Sequence, residues 1–242
     1  MEIPSELAWS EEARERLDRW RRFLRPLTMD IVGDFAGEEL FAIHGEALVA
    51  HCIQAARVDY GYGFQLLHAV HAIESFLRKM VDRGCNFHIV WFDRYSHLCI
   101  PCDVPEGESY KYLLTRAVMI QHLARARAED AALDTGSGKS LRFKDINHDS
   151  FLLYLKQTPL HFFMCRDDGA THLELDAGVL DHLSVAYQMA CNGYRLAFID
   201  NVEFKSSKVS RTRTPMSKSV QLANQVHRSM PVSSRVLQIW PP

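Results

Sequence analysis

Leu40-Phe-Ala-Ile-His-Gly-Glu-Ala-Leu-Val49 is an apolar run that breaks at Gly45 and resumes with helical spacing. A strand buried on both faces of a parallel sheet reads as a continuous hydrophobic run, so Leu40 to Ile43 is a strand and Ala47 to Ala56 the helix it feeds. Open α/β sheets bind ligands beyond the carboxyl ends of their strands, which puts His44 and Glu46 at the working edge. Three later stretches repeat the pattern, each an apolar run ending in an acid: Phe87 to Asp93, His161 to Asp167 and Asp168, and Arg195 to Asp200. If the four strands are parallel neighbours, Glu46, Asp93, Asp168 and Asp200 converge.

The segments between these runs read as helices. Phe64 to Arg83 carries Leu66, Leu67, Val70, Ile73, Phe76, Leu77 and Met80 at three-and-four spacing, and Gly84 stands where a helix ends. Tyr110 to Glu129 has Leu113, Leu114, Val118 and Leu123 as its stripe, Ser150 to Gln157 is a shorter helix, and Val179 to Asn192 buries Leu180, Leu183, Ala186, Tyr187 and Ala190. A leading helix over 10–24 starts at Ser10 with acids in its first turn and stops near Pro26. Strands alternating with helices predict an α/β fold: a central, mostly parallel sheet of at least four strands flanked by helices in three layers.

With 242 residues, 47% of them hydrophobic, the chain supports one substantial core. Its charge is unevenly spread. Residues 204–242 hold seven Lys or Arg and no acid, leaving 21 basic residues against 30 acidic ones before them. The expected division is a helical extension over 1–38, an α/β unit over 39–203, and a basic, weakly structured extension over 204–242 with a short helix at Ser217 to Arg228. Lys205, Lys208, Arg211 and Arg213 in that tail are the candidate phosphate contacts. The Trp240-Pro-Pro242 end is expected to lead on into a larger protein. Cysteines lie mostly in apolar stretches, no signal-peptide pattern is visible, and no apolar run approaches the ~20 residues of a membrane span. A cytoplasmic protein with no membrane partner is expected.

Three motifs are weighed and set aside. Gly136-Ser-Gly-Lys-Ser140 matches the end of a P-loop, yet Leu133 stands where the leading Gly belongs and no strand precedes it, so a flexible Gly/Ser loop is expected and ATP is not. Cys99-Ile-Pro-Cys102 has no second half for a zinc site and no helix start for redox work. His68 and His71 lie one turn apart but flank a core stripe.

Carboxylates gathered at one sheet edge suit Mg2+ or Mn2+, hard cations that prefer oxygen and, in pairs, clamp the attacking and leaving oxygens of a phosphodiester. At these residues the chain resembles a known family. Leu40 to Leu48 and Ile89 to Asp93 look like the first two conserved strands of PIN and FEN-type nucleases. With Phe64 to Gly84, they are similar to the PIN-like N-terminal region of the large Ski2-like DExD/H-box RNA helicases, the group of the interferon-induced antiviral helicase and its fungal relatives. The resemblance implies a PIN-like fold, RNA as partner and a helicase core elsewhere in the same polypeptide, since no DExD/H box stands in these residues. It puts the family's acids on Glu46, Asp93, Asp167 or Asp168, and Asp200, but its first metal-binding Asp on His44. An imidazole replaces a carboxylate poorly for Mg2+. The expected function is an RNA-associated, nuclease-like module with a degenerate or weak metal site; the alternatives are an active Mg2+- or Mn2+-dependent ribonuclease and a pure protein-interaction domain.

Overall fold

The computed structural model describes residues 10–24, 26–35, 37–58, 60, 63–101, 104, 107–129, 138–166, 177–199 and 207–210. In chain order these form α1 (Glu11–Phe23), β1 (Pro26–Met29), α2 (Ile31–Phe35), β2 (Leu40–His44), α3 (Gly45–Ala55), α4 (Leu66–Asp82) and β3 (Asn86–Phe92). A 3-10 segment (Asp93–Cys99) follows, then α5 (Ser109–Glu129), β4 (Lys139–Phe143), α6 (Asp149–Gln157), β5 (Leu160–Cys165), α7 (Ala177–Cys191), β6 (Arg195–Phe198) and β7 (Ser207–Ser210). Ser10 caps α1 by accepting the Ala13 N–H at 3.3 Å. Gly84 closes α4 at φ +80°, a conformation a side chain would resist.

Among the described residues, seven strands form one sheet in the order β1-β7-β6-β5-β2-β3-β4. The five from β6 to β4 are parallel, with Phe41 opposite Phe87 and Ile43 opposite both Ile89 and Met164. From Phe87 to Phe92 every residue of β3 is buried, because helices cover both faces. On one face Phe41, Ile43, Ile89 and Trp91 pack with Leu48 of α3, Ile73 and Leu77 of α4 and Met119 of α5. On the other, Ala42, Val90, Phe92 and Phe163 meet Phe151 and Leu155 of α6 and Val185 and Met189 of α7. This is the expected three-layer α/β sandwich. α1 lies outside it, burying Leu17 against Leu180 and Leu183 of α7.

Several details differ from the sequence reading. Lys139 and Ser140, expected as the end of a flexible Gly/Ser loop, instead begin an edge strand, Lys139 to Phe143, that pairs with β3. Its alternation, Ser140 and Arg142 against Leu141 and Phe143, is a half-buried strand pattern that begins in the Gly/Ser/Lys motif and runs past its end. β1 and β7, which fall on either side of 39–203, extend the sheet by antiparallel pairing: Pro26 to Met29 lie opposite Ser210 to Ser207, and β7 also pairs with β6. Leu67, placed on the apolar stripe of α4, is 83% exposed, and Leu114 of α5 is 43% exposed. Each helix buries a narrower arc than its apolar residues span.

Candidate functional site at the carboxyl edge of the sheet

Parallel pairing brings the carboxyl ends of β2, β3, β5 and β6 to one edge. β2 ends at His44 and the chain turns directly into α3 at Gly45. Glu46 is therefore in the first turn of α3 and is fully buried. One of its oxygens, Oε1, accepts the backbone N–H of Phe92 at 3.2 Å and the Nε–H of Arg116 at 2.7 Å, with Arg116 Nη2 also at 2.7 Å.

Arg116 comes from α5 and is itself buried. Its guanidinium lies 5.7 Å from the Trp91 ring centroid and reaches on to Asp93, with Nη2 3.4 Å from Oδ1. Arg142 of β4 donates to the same Asp93 oxygen at 2.7 Å. Trp91 is held in turn by its Nε1–H, which donates to Ser140 Oγ at 2.9 Å. Two of the four expected acids, Glu46 and Asp93, are thus joined through one arginine. Asp167, Asp168 and Asp200 lie outside the described residues, as do Lys205, Arg211, Arg213, Cys102, Gly136 and the expected helix at 217–228. Lys208 belongs to β7, where its backbone lies opposite Thr28.

The other Glu46 oxygen, Oε2, stands 3.2 Å from His44 Nε2. The separation is that of an ion pair, but the alignment is not that of a hydrogen bond: Glu46 Oε2 and both His44 ring nitrogens make none, although all are buried. The His44 ring sits among Phe92, Phe163 and His182, with centroids 5.6, 6.2 and 6.4 Å away. Burial first, then the neighbouring His44, Arg166 and His97 side chains, hold His182 well below the usual imidazole range, against a backbone hydrogen bond at Leu98. His97 pairs with Asp181 at 2.8 Å.

A divalent cation, which the fold family implies, needs carboxylate lone pairs turned toward a common point. Here Glu46 Oε1 and Asp93 Oδ1 are directed at guanidinium N–H groups, and His44, where an Asp is expected from the resemblance, is a buried imidazole. The described part of the edge does not fit Mg2+ or Mn2+. Among the described residues, no group of three or more His, Cys, Asp or Glu side chains is arranged to hold a metal.

The sequence reading missed Arg116 and Arg142. A signal for Arg116 existed: it shares the helical spacing of Tyr112, Met119 and Leu123, which pack on the core, and an arginine on a buried stripe requires an anionic partner. Lys139 and Ser140 of the P-loop-like motif are in β4, not in a loop leading into a helix. Burial raises the pKa of the Cys99 thiol, and the nearby Glu46 charge adds to this. His68 and His71 contact Gln65 and Ser75 within their own helix. Among the described residues no helix is long and apolar enough to cross a membrane.

Five parallel strands sandwiched between helix layers, with acids at the carboxyl edge, define a PIN-like α/β domain. The chain belongs to the PIN-like domain family of the ATP-dependent RNA helicase DDX60, whose family model matches residues 20–188. It is also similar to the human probable ATP-dependent RNA helicase DDX60-like, with 24% identity over 144 residues, 60% of this chain. Those residues span 7% of that relative's length.

Proposed function

We propose that this chain is the RNA-associated PIN-like module of a large helicase polypeptide, and that it binds RNA rather than cutting it efficiently with Mg2+ or Mn2+. The observation that carries the second part is the engagement of Glu46 and Asp93 by Arg116 and Arg142. The buried His44 adds to it, because the resemblance puts the family's first metal-binding Asp at this position and an imidazole nitrogen replaces a carboxylate poorly for a hard cation. RNA association is supported by the name of the human relative, a helicase acting on RNA, and by the basic, acid-free tail. The same relative, of which the matched region is a small part, supports a helicase core in the same polypeptide.

The test uses the 242-residue chain. Single-stranded RNA is titrated at rising salt against the wild type and a variant with Lys205, Lys208, Arg211 and Arg213 all changed to Gln. Phosphate contacts release counterions with a slope of about −0.7 per contact on single strands, so loss of four contacts flattens the salt dependence by about 3. Equal affinity and equal slope remove the tail from the interface. RNA cleavage in Mn2+ that stops with EDTA and with Asp93→Ala restores the active-ribonuclease alternative. No RNA binding at low salt leaves a protein-interaction domain.

A further inference from the structure

We infer that the corner where β3 and β4 end is a phosphate-binding surface for the backbone of single-stranded RNA, with Arg94, Arg142 and Lys144 as its contacts. The inference deepens the reading of the chain as RNA-associated and rests on it, but it places a contact on the folded body, apart from the basic tail.

Among the described residues β4 is an edge of the sheet, and its parallel register with β3 sets Trp91 opposite Arg142 and Phe92 opposite Phe143. The pairing carries on past the strand ends, where the Arg94 N–H donates to the Lys144 carbonyl at 3.0 Å. Two residues along a strand span about 6.7 Å, so the three cations stand on one small patch of the carboxyl edge. Arg94 and Lys144 are exposed, and among the described residues neither side chain has an ion-pair or hydrogen-bond partner. The acids at this corner are already engaged. Asp93 Oδ1 is shared between Arg142 at 2.7 Å and Arg116 at 3.4 Å. The Arg116 side chain is 9% exposed and stays with its acids, whereas that of Arg142 is 61% exposed and can turn to a phosphate without leaving Asp93 unpaired. Asp145, beside Lys144, directs Oδ1 at the Asn147 N–H at 2.7 Å. The residues before 204 hold 21 basic side chains against 30 acidic ones, so the body as a whole repels a polyanion, and attraction has to come from a local excess such as this. Flexible cations on an open edge supply charge without a shaped pocket, which suits a repeating phosphate chain and gives binding that does not depend on base sequence.

The experiment measures binding of a single-stranded oligouridylate to the full 242-residue chain at rising salt. Arg94→Gln/Lys144→Gln removes two charges without breaking a described side-chain contact, so it is expected to melt with the wild type. Its salt dependence is expected to flatten by about 1.4, at about 0.7 per lost contact, and this loss should add to that of the tail variant. The charge-keeping exchange Arg94→Lys/Lys144→Arg is expected to bind like the wild type. Asp93→Asn, which takes an anion away from the corner, is expected to bind about two- to fivefold tighter at low salt, the scale of one exposed charge contact. RNA held through a metal on Asp93 would instead be released by that change. The inference is overturned if the wild type binds and the Gln pair leaves affinity and slope unchanged, if the charge-keeping pair loses as much as the Gln pair, or if Asp93→Asn weakens binding. A wild type that binds no RNA at low salt overturns the RNA reading itself, and the corner falls with it.

Discussion

The Trp91 ring lies across Gly45 so closely that a Cβ added to the glycine would sit 2.3 Å from Cε3 and 2.4 Å from Cδ2 of the indole. This contact lets β2 pass straight into α3 beside β3, and it brings Glu46 within reach of the Phe92 N–H. The seat of Arg116 and the turn that positions Glu46 are built from the same ring.

Gly45→Ala forces the methyl into a buried ring tied to Ser140, with no open side to move to. Overpacking of this kind costs about 1 to 3 kcal/mol. Urea unfolding should show a loss in this range, and Trp91→Leu should offset part of it in the double variant. Strict additivity of the two changes would count against the contact.

Stability should fall with acid in a defined window. Burial and then the Arg166 charge lower the His51 pKa from 6.5 to about 4, and burial lowers that of His182 as well. In both cases the unfolded chain binds the proton first, so their contribution is complete above about pH 6.5 and is lost as pH falls toward and below 4. Each residue contributes up to about 1.4 kcal/mol per pH unit. His51→Leu, which keeps an apolar contact to Phe76, should make the slope of stability against pH shallower by about one proton between pH 6.5 and 4. An unchanged slope would contradict the assignment.

Ending the chain at residue 203 should destabilise the domain as well as remove the basic tail. β7 stands between β6 and β1, and Val209 is buried in the main core. Removing the strand uncovers an edge of the sheet and separates β1 from it. The truncated chain should melt lower and exchange the amide protons of β6 faster, so charge substitutions report on RNA contact more cleanly than truncation. Unchanged melting would show β7 to be dispensable.

Lys139 and Ser140 should have no role in holding phosphate. Both are in a parallel strand, and Ser140 accepts the Trp91 indole N–H. Ser140→Ala leaves that buried donor unpaired, at a cost of about 1 to 3 kcal/mol in unfolding measurements. Addition of ATP should leave melting unchanged in the wild type and in Lys139→Ala. An ATP-dependent rise lost in Lys139→Ala would reverse this.

The local sequence was sufficient wherever a segment is buried along its whole length. Phe87 to Phe92 and Leu40 to Ile43 pack on both faces, so their unbroken apolar runs identify strands, and the same holds for β5 and β6. The spacing of Ile73, Leu77 and Met80 marks the inner face of α4. Strands at or near the sheet edges carry no such run: Pro26 to Met29, Lys139 to Phe143 and Ser207 to Ser210 are short, and the first and last find each other across some 180 residues of chain only because the sheet offers an edge. At the site, Glu46 and Asp93 were readable as acids following strands. Their state was not. It depends on Arg116, 70 residues beyond Glu46, and on Arg142, 49 beyond Asp93. A carboxylate becomes a metal ligand or half of an ion pair according to which cation folding brings beside it, and that is set by packing between distant elements, not by the residues next to it in the chain.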